Sequence, residues 1–270
     1  MSENAPAPKL SATILLLRDA PGLEVLMVKR HYQIDFAAGA LVFPGGKTHE
    51  EDASDEWTEL TDGDFKGAEL AARVSAIREA FEESGVILAR SCDDSGQGRP
   101  LVGADVAERL SPHRGPIDRR EESFVELIRD NGLVLALDTL VHFGHWITPT
   151  MMPKRFDTHF YIAPTPPEQL ARHDGRETTE AVWLSPQSAL DMSEDGKATI
   201  IFPTRMNLGK LAECSDTDSA VSRFKSEPVV TVLPVVGKDD AGNPCLHIPK
   251  EAGYLQSTEL LEAVANVSKS

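Results

Sequence analysis

No stretch of the chain approaches the ~18 consecutive apolar residues that a membrane-spanning helix needs, so no membrane partner is expected. Cysteine is scarce and odd in number: Cys92, Cys214 and Cys245 show no Cys-x-x-Cys spacing and accompany no paired-histidine motif. That argues against a disulfide framework and a structural zinc site, and points to reduced thiols in a cytoplasmic compartment. Absent too are a Gly-x-Ser-x-Gly elbow, a Gly-x-Gly-x-x-Gly fingerprint and a Walker loop, so nothing favours an acyl-transfer or redox enzyme. There is no internal repeat and no basic block. With a net charge of −16, the chain lacks the Lys and Arg that neutralise a phosphate backbone, so no nucleic acid partner is expected. A small anionic substrate stays compatible with this charge if divalent cations mediate the contact.

What is present is core-forming: 270 residues, 41% hydrophobic and 26% charged, fit one large domain or a domain with an extension. Met1 to Lys9 is polar and reads as a disordered tail rather than a signal peptide. Ser268-Lys269-Ser270 misses the Ser-Lys-Leu peroxisomal address at its last residue. Ser11–Leu17 and Leu23–Lys29 are apolar runs split by Asp19-Ala20-Pro21-Gly22, the pattern of a hairpin. Leu41–Phe43 predicts a short strand, and the acidic stretch 47–67 an irregular insertion anchored by Trp57. Ala68–Ser84 has helical spacing, with Gly85 placed to stop it. Further strands are expected at Val86–Ala89, Leu140–Ile147, Phe156–Ala163, Ala181–Leu184 and Val229–Val236. Helices are expected at Asp105–Leu110, Arg120–Asp130, after Ser185-Pro186, over 200–226 and near the end of the chain. Strands and helices mix without regular alternation, which favours α+β over a doubly wound sheet. His142 and His145, three apart on a strand, would face opposite sides and read as packed or hydrogen-bonded side chains.

The chemistry is concentrated on the predicted helix. Glu79, Glu82 and Glu83 are related as i, i+3 and i+4, so three carboxylates share one face. Glu82 and Glu83 also lie in the last turn, where the helix dipole disfavours anions by roughly 0.3–1 kcal/mol. A solvated acidic face is the bland explanation. Arg78 offers one compensating charge, and a bound divalent cation compensates more fully. Pro44-Gly45-Gly46 adds a side-chain-free turn whose carbonyls could reach a hard cation such as Mg²⁺.

Arg78-Glu79-Ala80-Phe81-Glu82-Glu83-Ser84-Gly85-Val86, preceded by Phe43-Pro44-Gly45-Gly46, resembles the Nudix box of the Nudix hydrolases. In that pattern a Gly is followed by a Glu and then by Arg-Glu-aliphatic-x-Glu-Glu-x-Gly-aliphatic. Arg78 stands 32 positions after Gly46 where the pattern has 14, an insertion of 18 residues. Counted back from Arg78, the first Glu of the box falls on Leu70, with Glu69 one step off register. The resemblance implies a Nudix-type α/β/α sandwich of mixed sheet with helical insertions. It also implies Mg²⁺ or Mn²⁺ held by Glu79, Glu82, Glu83 and the Gly46 carbonyl, with Arg78 orienting the carboxylates. The implied reaction is in-line attack of water on a pyrophosphate, the cations drawing charge from the phosphoryl oxygens. A further acid outside the helix often serves as ligand or base in this family; Glu177 is the first candidate and Glu180 the second.

Val28-Lys29-Arg30 followed by Gly39-Ala40-Leu41-Val42-Phe43-Pro44-Gly45-Gly46 resembles the coenzyme A and acyl-CoA diphosphatase-like branch. Trp146-Ile147-Thr148-Pro149, Lys154-Arg155-Phe156-Asp157-Thr158 and Pro203-Thr204-Arg205-Met206-Asn207-Leu208 extend the likeness, whereas Asp35 stands where the branch motif has Arg. The implied substrate is CoA or acyl-CoA, with Arg30, Lys154, Arg155 and Arg205 as candidate phosphate contacts and Arg155 first among them. Another nucleoside diphosphate derivative, such as ADP-ribose or NADH, and a non-catalytic nucleotide sensor are the alternatives. The expected organisation is a tail over 1–9, a Nudix domain over 10–192 with insertions at 47–67 and about 91–138, and a C-terminal extension over 193–270 packed on the domain. The sequence leaves the oligomeric state open, a homodimer included.

Overall fold

A computed structural model describes residues 5–31, 39–93 and 99–262. Asp35, residues 1–4 of the expected tail and 263–270 of the expected last helix lie outside them. The chain opens with a long hairpin, β1 (Lys9–Asp19) and β2 (Leu23–Arg30), followed by β3 (Leu41–Val42) and β4 (Gly45–Lys47). Helix α1 (Gly67–Ser84) and β5 (Ala89–Ser91) come next, then α2 (Ala104–Leu110), α3 (Arg114–Asp118), α4 (Phe124–Asp130) and β6 (Leu133–Leu135). Two long strands follow, β7 (Val141–Ile147) and β8 (Phe156–Pro164), then β9 (Thr178–Leu184), α5 (Pro186–Glu194), α6 (Phe202–Leu211) and α7 (Thr217–Ser226). The described chain ends with β10 (Thr231–Val232), β11 (Val235–Lys238), β12 (Pro244–His247) and β13 (Thr258–Leu260).

The main sheet runs β10-β7-β8-β1-β2-β3, with β4 also on β1 and β9 on β2. It is mixed: β1 is parallel to β8 and antiparallel to β2 and β4. Because β1 is covered on both faces, its sequence is nearly continuous in apolar residues. Ala12, Ile14 and Leu16 pack with α1 and the α2–α4 segment, while Leu15 and Leu17 pack with α5, α6 and α7. The fold is therefore an α+β sandwich with helices on both faces of a mixed sheet.

Several local expectations differ from the structure. The helix expected over Arg120–Asp130 begins at Phe124, where the Ser123 side chain accepts from the Glu126 N–H and caps it. Val86–Leu88 is buried but outside any ladder, and the strand begins at Ala89. The helical stretch 200–226 is two helices, because Asp216 forms a capping box with Ser219 and starts α7 afresh. Pro234, which has no N–H, separates β10 from β11 where one strand was expected.

His142 and His145 are packed and hydrogen-bonded as expected, but they do not face opposite sides. Pairing of β7 with β8 slips between His142 and Gly144, so Phe143 is an extra residue and the alternation of sides shifts by one. Phe143 and Trp146 consequently share the face packed on α6 and α7. His142 and His145 both turn to the α1 face beside His159. Burial, reinforced by the neighbouring imidazoles, lowers the pKa of His142 to about 4 and also lowers that of His159.

The insertion after Lys47 forms two short 3₁₀ turns, Glu51–Ala53 and Asp55–Glu59. Trp57 is fully buried against Phe124, and its Nε1–H donates to the Glu51 carbonyl at 2.8 Å. Glu51 in turn accepts from the Ser123 hydroxyl and from the Phe124 N–H, which ties the insertion to the start of α4. Trp57→Ala should destabilise the protein by about 3–5 kcal/mol, read from the midpoint of urea unfolding.

Candidate functional site

Helix α1 ends at Gly85, whose φ of 77° is the left-handed conformation that a C-terminal stop requires. Its last two turns carry Arg78, Glu79, Glu82 and Glu83, all buried. Arg78 is the hub of this cluster. Nη1 donates to Glu79 Oε1 at 2.9 Å and to both Glu82 oxygens at 3.1 Å. Nε and Nη2 grip the two oxygens of Asp52 at 3.0 and 2.9 Å, and Nη2 also reaches the Lys47 carbonyl and Ser75 Oγ. Every nitrogen of the guanidinium is engaged, so Arg78 orients carboxylates and offers no free edge to a ligand.

Asp52 is the residue that counting backwards from Arg78 misses. It lies six positions after Gly46, where the box pattern has its first acid, and 26 positions before its partner Arg78. The extra residues therefore follow Asp52 instead of preceding it, and they include the first turns of α1. Leu70 is a core side chain, and Glu69 pairs with Arg73 at 3.1 Å. Counting forwards from Gly46 would have found Asp52.

Strand β4 brings the glycines over the end of α1. Gly45 N–H donates to Glu83 Oε2 at 3.0 Å. A Cβ on Gly46 would lie 2.4 Å from Glu79 Oε1, so any side chain there would push the Glu79 carboxylate from its place on Arg78. The carbonyls left at the end of α1 are satisfied by Arg114 of α3. Its Nε lies 2.9 Å from the Phe81 carbonyl and 3.1 Å from that of Glu82, which Nη2 also contacts at 2.9 Å. A cation thus sits at the negative end of the helix dipole.

Glu177 lies in the loop before β9, close enough to raise the pKa values of Glu79 and Glu83. The loop is held by Asp174, which accepts from the Glu177 and Thr178 N–H groups at 2.9 and 2.8 Å. Arg30 at the end of β2 acts electrostatically on both Glu83 and Glu177, and its buried Nε has no hydrogen-bond partner among the described residues. The remaining candidates are placed elsewhere. Glu180 pairs with Lys29 at 3.3 Å. Lys154 is exposed in the β7–β8 turn, and Arg155 bonds the carbonyls of Thr148 and Pro6. Arg205 pairs with Glu259 at 2.6 Å.

The acids outnumber the cations available to them. Burial, ahead of the opposing Arg78 charge, raises the pKa of Glu82 to about 8. Burial first and Glu79 second hold Glu83 well above the ordinary carboxylate range, and burial likewise raises Glu79 and Glu177. Arg78 keeps its proton, because Glu79 and Asp52 outweigh the effect of burial. Clustered oxygen donors with excess negative charge and an adjacent side-chain-free backbone fit a hard divalent cation.

These shifts have a defined sign. Between about 4.5 and about 8 the folded state binds more protons at Glu82 than the unfolded chain does, so stability falls as pH rises through that window. Glu82 alone contributes a slope of up to about 1.4 kcal/mol per pH unit. Chelator-treated protein should therefore melt at a lower temperature at pH 8 than at pH 5.5, and excess Mg²⁺ should reduce the difference. Calorimetry at the two pH values checks this.

The domain family described as NUDT19 Nudix domain matches residues 59–211, more than half of the chain. The chain is 26% identical over 225 residues to an acyl-coenzyme A diphosphatase NUDT19 of Xenopus laevis, covering 70% of this chain and 59% of that one. It is also 26% identical over 270 positions to the Gallus gallus protein of the same name, covering 80% and 71%. The match thus spans less than two thirds of the frog relative. Among solved structures, a NUDIX hydrolase from Alicyclobacillus acidocaldarius superposes with a TM-score of 0.68 at 25% identity, over 82% of this chain and 99% of that one. With the acidic end of α1 in its place against Gly46, the chain belongs to the Nudix hydrolases, in the NUDT19 Nudix domain family.

Proposed function

We propose that the chain is a diphosphohydrolase dependent on Mg²⁺ or Mn²⁺. It would cleave the pyrophosphate of CoA or acyl-CoA to 3′,5′-ADP and (acyl-)4′-phosphopantetheine. The observation that carries the proposal is the buried cluster of Glu79, Glu82 and Glu83, bound together by Arg78 and closed over by Gly46. Glu79, Glu82, Glu83 and the Gly46 carbonyl are the cation ligands. The cation supplies neutralisation of the pyrophosphate charge and activation of water. Arg78 and Asp52 fix the directions of the carboxylates. Glu177, whose pKa is raised by burial and by Asp118, takes the proton from the attacking water. One new P–O bond forms, the bridging P–O bond breaks, and the departing phosphate keeps the bridging oxygen.

Of the basic candidates, Arg30 rather than the expected Arg155 has the best-supported role as a phosphate contact, since its buried Nε has no hydrogen-bond partner among the described residues and lies beside Glu83 and Glu177. Arg155 and Arg205 already hold backbone carbonyls and Glu259. The choice of CoA rests on the segment Gly39 to Gly46 and on the names of the frog and chicken relatives.

Glu82→Gln and Glu83→Gln should each abolish the Mg²⁺- or Mn²⁺-dependent release of 3′,5′-ADP from CoA while leaving the protein folded. Chromatography of the products checks this against a panel of CoA, acyl-CoA, ADP-ribose and NADH. Full activity in both variants contradicts the ligand assignment. Binding without turnover, unaffected by EDTA, would identify a sensor.

A further inference from the structure

The displaced histidines form a second group of donors on the α1 face of the sheet. His145 and His159 are direct partners across the β7–β8 ladder, with rings stacked at 4.2 Å and 15°. Asp157 precedes His159 by two residues and so projects from the same side of β8. Its Oδ1 lies 2.5 Å from His145 Nε2. One ligand atom from each of His145, Asp157 and His159 lies within 4.8 Å of the other two. The bulge at Phe143 is what makes this grouping, since regular alternation from His142 would turn His145 to the opposite face.

The surroundings suit a metal better than a plain polar cluster requires. His145 Nδ1 lies 2.8 Å from Thr231 Oγ1 of β10, so its second ring nitrogen has a partner that fixes the ring while Nε2 faces Asp157. A third imidazole borders the group, with His142 Nε2 3.1 Å from His159 Nδ1. Side-chain exposures of 17% for His145 and 32% for Asp157 leave a path for an ion from solvent. Ligands at about 2.0–2.1 Å from a tetrahedral ion stand about 3.4 Å apart, so the His145–Asp157 contact must open by about 1 Å. Side-chain rotation supplies that.

From this geometry we infer that His145, Asp157 and His159 form a second metal site, selective for a borderline first-row dication such as Zn²⁺ or Co²⁺. Two imidazoles and one carboxylate favour these ions, whereas Mg²⁺ prefers the all-oxygen set at the far end of α1. The two sites are separate. The histidine group neighbours Glu69 and Arg73 in the first turns of α1, roughly 15 Å along the helix axis from Glu79, Glu82 and Glu83. Bound there, the ion ties β7 to β8 beside β10, the strand that extends the sheet.

Titration of the full-length protein with Co²⁺, in excess Mg²⁺ to occupy the carboxylate helix, tests the site. One equivalent should bind and produce visible ligand-field bands. His145→Ala and His159→Ala should weaken this binding at least tenfold, and Glu82→Gln should change it less than twofold. Should either histidine variant fail to fold by circular dichroism, the unmutated protein decides. Stoichiometric Zn²⁺ should then shift the side-chain ¹⁵N resonances assigned to His145 and His159. Absence of the bands, bands that survive both histidine substitutions but vanish in Glu82→Gln, or unshifted His145 and His159 resonances would overturn the inference.

Discussion

The site depends on one buried guanidinium. Arg78 contacts Asp52, Glu79 and Glu82, and without it those buried acids would lose the guanidinium they share. Removing one partner from such a group typically costs about 3–5 kcal/mol, because the remaining charges stay buried and unpaired. The bidentate grip on Asp52 leaves the guanidinium only one orientation, and that orientation sets where Glu79 and Glu82 point. Glu83 is outside this grip and is positioned instead by the Gly45 N–H. Even so, the cluster has more acid than base, which is why burial drives its carboxylates towards the protonated form.

Other parts of the fold serve that arrangement from a distance. Arg114 satisfies the carbonyls left at the end of α1 and also bonds the Arg172 carbonyl, linking the helix to the segment that leads to Glu177. Thr178 closes the same link, its hydroxyl lying 3.4 Å from the Glu83 carbonyl. The acidic insertion has a comparable role: Trp57 and Glu51 lock it onto α4, and the 3₁₀ turn Glu51–Ala53 delivers Asp52 to Arg78. Its length is accommodated because the additional residues extend α1 and fill the helical layer.

Features with a short-range cause were legible in the sequence. Spacing puts Glu79, Glu82 and Glu83 on one helical face, Gly85 stops the helix, and near-continuous burial of β1 and β2 follows from their apolar runs. Asp52 was not legible from Arg78, because the two are separated by an insertion whose position within the box is set by tertiary contacts. That His142 and His145 are packed and hydrogen-bonded is legible, but the side of the sheet they share is not, for a different reason. A single extra residue in β7 reverses the side on which every later residue appears, and no local composition marks it. Arg155 and Arg205 show a third limit, since the basic residue type alone does not distinguish a phosphate contact from the carbonyls and Glu259 that they bind.

Asp52 bonds Arg78 and, through it, sets the directions of Glu79 and Glu82. The direct test is the affinity for Mn²⁺, followed by electron paramagnetic resonance, in the parent protein and in Asp52→Asn. The variant should fold and bind Mn²⁺ about 10- to 100-fold more weakly, the range typical of partners that orient metal ligands. Unchanged affinity in folded Asp52→Asn would contradict that role of Asp52.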